Sequence, residues 1–181
     1  LRVSAVPLAD TMITEDSITK VIIGKTARYT AMWPLQFAGI LAGVDTKTMT
    51  ALREFGTVLG IIFQISDDRL GLFGDPAITG KDADSDAKTA KKTLYALYAR
   101  DYLEGDFAQR FNELYGKNNL SLDELRELQE LLKQAGIYAR VEARLQDYVL
   151  QAQQQLDQLA AFPQVRTLLG ETIEFLAHRE R

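Results

Sequence analysis

A chain of 181 residues, 46% of them hydrophobic, has room for one domain with a substantial core and little for two. Its formal net charge of -4 argues against a nucleic-acid partner, because non-specific phosphate binding draws on an excess of clustered Lys and Arg. With no cysteine and His178 as its single histidine, it offers no disulfide framework and no thiolate metal site; zinc is disfavoured and a reducing, cytoplasmic setting is expected. No apolar run approaches the roughly 20 residues of a membrane-spanning helix, so no transmembrane segment is expected.

In chain order, apolar residues recur at helical spacing from Ile18 to Ala42 (Ile22, Ala27, Tyr29, Met32, Trp33, Phe37, Ile40, Leu41), with Pro34 as the internal breaker, which predicts one helix or two halves meeting at a kink. Asp45 or Thr46 can cap the next helix, whose stripe of Met49, Leu52, Phe55, Leu59, Ile62 and Phe63 carries it to about Leu70. Residues 74–86 hold the densest turn chemistry in the chain and predict a loop. A helix from roughly Ala87 to Leu103 follows. Ser121 and Glu124 make a capping box, Gly136 is placed to end that helix, and Ile137 starts another that stops near Phe162 and Pro163. A last helix is expected around Val165 to Ala177, and Gln151, Gln153, Gln154 and Gln155 read as a solvated face. With no alternating strand and no internal repeat, the chain is expected to be all-α.

Gln64, Asp67 and Asp68 stand at i, i+3 and i+4, so a helix projects them from one face. By itself an Asp-Asp pair is an ordinary solvated helix terminus, paired with Arg69 or a nearby lysine. This pair is followed by Gly80 with Lys81, then Asp86, Lys91, Lys92 and Thr93. Acids that can hold Mg²⁺ alternate there with bases that can hold phosphate, which is what a metal-bridged polyphosphate needs. It is not a P-loop, because Lys81 is followed by Asp82. Upstream, Lys25, Arg28 and Tyr29 repeat the i, i+3, i+4 spacing and give a cationic end to an apolar face; taken alone, they describe an ordinary amphipathic helix.

Three segments, GKTARYTAMWPLQFAGILAG from Gly24, GTVLGIIFQISDDRLGLFGDPAITGK from Gly56 and DAKTAKKT from Asp86, resemble in order and spacing the C-terminal half of the trans-isoprenyl diphosphate synthase (polyprenyl synthetase) family. The resemblance implies an isoprenoid synthase-type helical bundle with a central active-site cavity. Residues 1–181 would then be a single helical domain, the C-terminal part of a longer prenyltransferase domain. Lys25 and Thr26 resemble the pair that contacts the allylic diphosphate, Gln64 the polar neighbour of the aspartates, and Asp67 and Asp68 the acids of the second aspartate-rich motif that hold Mg²⁺. Lys81 resembles the lysine that reaches the diphosphate from the loop, and Lys91 the family's later lysine. Gly71 stands where many members have a third aspartate, and Asp75 is a weak candidate to replace it.

The implied activity is Mg²⁺-dependent, head-to-tail condensation of isopentenyl diphosphate with an allylic prenyl diphosphate, by a cytoplasmic homodimer. The family's first aspartate-rich motif has no match in this chain and is expected before Leu1, so the isolated chain is expected to be inactive. A class I terpene cyclase, a non-catalytic helical subunit of a heteromeric synthase and a generic helical interaction domain are the alternatives. Phe63, Phe37 and Tyr29 could wall a pocket, with core packing the expected role of each.

Overall fold

The computed structural model describes residues 13–74, 85–159 and 163–179. These form α1 (Glu15–Ile22), a π-helical segment (Ile23–Met32), α2 (Trp33–Leu41), α3 (Thr46–Phe73) and α4 (Ser85–Lys88). They continue as α5 (Leu94–Tyr102), α6 (Gly105–Leu114), α7 (Leu122–Gln134), α8 (Ile137–Leu156), a 3₁₀ turn (Asp157–Leu159) and α9 (Pro163–His178). Among the described residues there is no strand, and no helix is long and apolar enough to cross a membrane.

The expected break near Pro34 is present but takes another form. Pro34 sits in the first turn of α2, which runs on directly from the π-helical segment. The adjustment falls upstream of it, where the Trp33 N–H reaches back five residues to the Arg28 carbonyl. Proline cannot donate to the carbonyl four residues before it, and its ring crowds that carbonyl. Widening the preceding turns to the π register accommodates both.

The start of α3 is as expected, with Asp45 Oδ1 accepting from the Thr48 N–H at 2.7 Å. Downstream, Ser85 and Asp86 are helical rather than loop. The single helix expected from Ala87 is two: α4 ends at a turn in which Ala90 has φ +46°, and Thr93 caps α5 by accepting from the Ala96 N–H. Helix α6 is an addition to the expected elements, and its Phe107, Phe111 and Leu114 follow at i, i+4 and i+7. Both halves of the Ser121–Glu124 capping box are made, and Gly136, at φ +74°, ends α7. Helix α8 stops at Leu156, and Pro163 opens α9 instead of closing its predecessor.

The chain divides into two compact units. Among the described residues, one comprises residues 13–18, 67–74 and 85–143, the other residues 19–66, 144–159 and 163–179. In the second unit the backbones of α3 and the π-helical segment meet at two glycines. A Cβ on Gly60 would lie 2.3 Å from the Ala27 Cα, and one on Gly56 would lie 2.7 Å from the Met32 Cα. Phe55, Ile62, Leu145 and Ile173 are fully buried in this unit. In the first unit Leu72, Tyr95, Leu114, Leu128, Leu132 and Ile137 are fully buried. Phe73 packs there against Tyr95 and edge-on against Tyr138, with ring centroids 5.2 and 4.9 Å apart.

The expectation that Phe37 and Tyr29 pack in a core is overturned, since they are 65% and 60% exposed. Trp33, Ile40 and Leu41 are exposed with them. Of residues 23–41 only Thr26, Ala27, Ala31 and Gly39 are buried. Phe63 is half-buried under the Arg179 guanidinium, 4.4 Å from its ring centroid. Of the four glutamines read as solvated, Gln151, Gln153 and Gln154 are exposed and Gln155 is half-buried.

Candidate active site

The second unit holds Lys25, Thr26 and Gln64. Lys25 and Thr26 lie on the π-helical segment, and the close approach at Gly60 draws that segment onto α3. Thr26 is buried, and its hydroxyl donates to Gln64 Oε1 at 2.7 Å. That bond fixes the Gln64 amide by its oxygen. Lys25, Arg28 and Tyr29 are all exposed on the same segment, so the cationic end read from the sequence is present. A π-helical insertion is rare and recurs at functional sites because it re-aims the side chains around it.

The first unit holds Asp67, Asp68 and Lys91. The aspartates follow Gln64 along α3, in the turns before its end at Phe73. Asp67 is half-buried and Asp68 is 6% exposed. The Lys91 ammonium lies 3.0 Å from Asp68 Oδ1 and 2.8 Å from Asp86 Oδ2. Burial alone pulls the pKa of Lys91 down, but the charges of Asp68 and Asp86 outweigh it and hold the lysine above its ordinary value. A buried carboxylate is tolerated when paired in this way.

Below this cluster, Arg69 donates to Glu142 at 3.0 Å, and the Tyr95 hydroxyl donates to the same carboxylate at 3.3 Å. Burial first, then the charge of Glu142, pushes the Tyr95 phenol upward, so it stays a protonated donor. Gln129 reaches the Leu72 carbonyl at 2.8 Å. The final turns of α3 that carry the aspartates are thus tied down from α5, α7 and α8.

Asp86 had no helical spacing to announce it as a partner of Lys91, because a turn separates them. Its nearest signal was Gly71, where a Cβ would come within 2.6 Å of Asp86 Oδ2. Lys81, Gly80 and Asp75 lie outside the described residues.

The donor chemistry suits Mg²⁺, which takes one or two carboxylates and completes its shell with water and phosphate oxygens. Asp67 and Asp68 supply such oxygens at successive positions. Among the described residues no three acids or imidazoles gather into a cluster able to hold a metal.

The polyprenyl synthetase family profile matches residues 6–132. A short chain isoprenyl diphosphate synthase of Methanocaldococcus jannaschii is 35% identical over 101 residues, 56% of this chain and 31% of that protein. A geranylfarnesyl diphosphate synthase of Aeropyrum pernix is 29% identical over 145 residues, 80% of this chain and 44% of that protein. Among solved structures, a geranylgeranyl pyrophosphate synthase of Corynebacterium glutamicum, complexed with isoprenyl diphosphate and magnesium, superposes with a TM-score of 0.81 at 31% identity. It covers 92% of this chain and 47% of its own. A polyprenyl synthase of Caulobacter crescentus, complexed with calcium and isoprenyl diphosphate, gives 0.82 at 28% identity, covering 95% of this chain and 52% of its own. The chain therefore spans about half the length of these relatives, or less. Ordered motifs, the all-α architecture of the described residues and the matched profile agree that the chain belongs to the polyprenyl synthetase family.

Proposed function

We propose that this chain is the diphosphate-holding part of a trans-prenyl diphosphate synthase, which joins isopentenyl diphosphate head-to-tail to an allylic prenyl diphosphate. The observation that carries the reading is the run of Gln64, Asp67 and Asp68 along α3, with Gln64 held by Thr26. The names of the relatives, prenyl diphosphate synthases among them, support the same reaction. Asp67 and Asp68 would hold Mg²⁺, whose part when bound is to neutralise the departing diphosphate. Lys25 and Thr26 would steady that diphosphate beside Gln64, and Lys81 would reach it from the segment after α3. No side-chain base is invoked, since the departing diphosphate can accept the proton. Residues 1–181 act in this reading as one helical domain of a cytoplasmic homodimer; light scattering of the purified protein tests the dimer.

The test is incorporation of radiolabelled isopentenyl diphosphate by the native full-length polypeptide with Mg²⁺. Asp67→Ala and Lys25→Ala are each expected to lower kcat/KM by about 100-fold or more, the scale on which loss of preorganised transition-state charge stabilisation reads out. Undiminished turnover in Asp67→Ala overturns the site assignment. A wild-type protein that makes no condensation product, but cyclises an allylic diphosphate, moves the assignment to a terpene cyclase.

A further inference from the structure

Two glycines of α3 meet the π-helical segment. A Cβ on Gly60 would lie 2.3 Å from the Ala27 Cα, and one on Gly56 would lie 2.7 Å from the Met32 Cα. Gly56 and Gly60 stand at i and i+4, about one turn of an α-helix. Their partners Ala27 and Met32 stand at i and i+5, the same step as the bond from the Trp33 N–H to the Arg28 carbonyl. One turn of α3 is thus matched by one turn of the wider helix.

Burial keeps that step. Ile22, Thr26, Ala27 and Ala31 are buried, whereas Lys25, Arg28, Tyr29 and Thr30 are exposed. From Ile22 to Ala31 an α-helix would make about two and a half turns and set the two on opposite sides. The wider turn lets both face inward.

The register also decides which residue reaches Gln64. Gln64 lies one turn beyond Gly60 on α3, and the Thr26 hydroxyl donates to Gln64 Oε1 at 2.7 Å. If the segment were α-helical back from Met32, the residue at i-4 would be Arg28. Arg28 would then stand at Gly60 and Ala27 at Gln64. Alanine has no hydroxyl to hold the amide, and Lys25 would be drawn back by one place.

The cause of the wider turn lies at Pro34. In an α-helix its ring would crowd the Thr30 carbonyl, and it has no N–H to offer that carbonyl. Pro34 is itself exposed, so its effect runs through the backbone.

We propose that Pro34 is a positioning residue. By holding residues 23–32 in the i, i+5 step, it assigns Thr26 rather than Ala27 to Gln64 and fixes the place of Lys25. The consequence for diphosphate rests on the function proposed above; the register does not.

The experiment compares crystal structures of the native full-length polypeptide as wild type, as Pro34→Ala, and as Pro34→Ala with Thr30 deleted. Binding of inorganic diphosphate with Mg²⁺ is measured on each by calorimetry, and folding is followed by circular dichroism. In Pro34→Ala the Trp33 N–H is expected to turn to the Tyr29 carbonyl and Thr26 to leave Gln64, with inorganic diphosphate bound at least tenfold more weakly. Deleting the exposed Thr30 puts Ala27 and Met32 at i and i+4, so that an α-helix meets both glycines. The Thr26–Gln64 contact and the affinity are then expected to return.

A Pro34→Ala protein that keeps Thr26 on Gln64, or a deletion that fails to restore the contact, overturns the proposal. Should Pro34→Ala not fold, the deletion variant decides: folding with Thr26 on Gln64 supports the proposal, and the lack of either overturns it. Lys25→Ala separates this proposal from the functional reading. If Lys25→Ala binds inorganic diphosphate as tightly as the wild type, the diphosphate reading of Lys25 fails, and the Thr26–Gln64 contact still decides the role of Pro34. If Lys25→Ala weakens binding while Pro34→Ala moves Thr26 and binds as the wild type does, the proposal is overturned and the reading stands.

Discussion

At the scale of single residues, Ala90 shows how local strain and charge placement are joined. Its left-handed backbone, φ +46°, costs an L-residue with a Cβ about 1–2 kcal/mol, which glycine does not incur. Glycine in turn loses more conformational freedom on folding, by about 0.5–1 kcal/mol. Ala90→Gly is therefore expected to stabilise the chain by up to about 1 kcal/mol in urea denaturation, and to leave Lys91 where it is. A clear loss of stability would show that the Ala90 methyl, which lies within 3.3 Å of a Cβ built on Gly116, contributes more by packing than the backbone costs. Thr26 makes the complementary case. Thr26→Val keeps the shape of a buried side chain and removes the 2.7 Å bond to Gln64, for an expected cost of about 1 kcal/mol by the same measurement.

Among elements, the π-helical segment and α3 approach through glycine. Gly60→Ala would drive a methyl group to within 2.4 Å of the Ala27 Cβ, and overpacking of that kind costs about 1–3 kcal/mol. Adding Ala27→Gly should recover only part of the loss, because the Ala27 Cα stands at 2.3 Å. Thermal melts of the two variants check both statements. Helix α7 carries a pH dependence at its N-terminus. The Lys117 ammonium, and then the Ser121 N–H, hold the Glu124 carboxyl down at about 2, against an ordinary 4.5. The carboxylate is the favoured form in the folded state, so its contribution is complete above pH 4.5 and is lost as pH falls from there through about 2. Protection of the amides in the first turn of α7, corrected for intrinsic exchange, should fall as pH drops across that window, whereas Glu124→Gln should show no change of protection there. A wild-type profile as flat as that of the variant would exclude the capping carboxylate as the cause.

For the whole molecule, the distribution of apolar surface separates residues that hold the fold from residues that do not. Phe55 is fully buried and Phe37 is 65% exposed. Phe55→Ala is expected to cost about 3–5 kcal/mol, and Phe37→Ser to change stability by less than about 0.5 kcal/mol, both measured by denaturant unfolding. A large loss in Phe37→Ser would mean that its ring is covered in solution. The polarity pattern alone did not distinguish these two phenylalanines, since both sit in strongly helical, strongly apolar stretches.

What the sequence by itself determined is local: the helices, the capping box at Ser121 and the shared face of Gln64, Asp67 and Asp68. Helical periodicity, caps and the i, i+3, i+4 relation all follow from geometry within a turn or two. The family motifs are legible for the same reason, being fixed spacings along one strand of text. Tertiary structure alone decided which side of residues 23–41 is buried, because the polarity pattern does not single out Ala27 and Ala31, the side that Gly56 and Gly60 admit to α3. It also decided that Lys91 meets Asp68 and Asp86. That pairing joins α3 to the turn after α4, and no periodicity reports which of several nearby lysines a buried acid will receive.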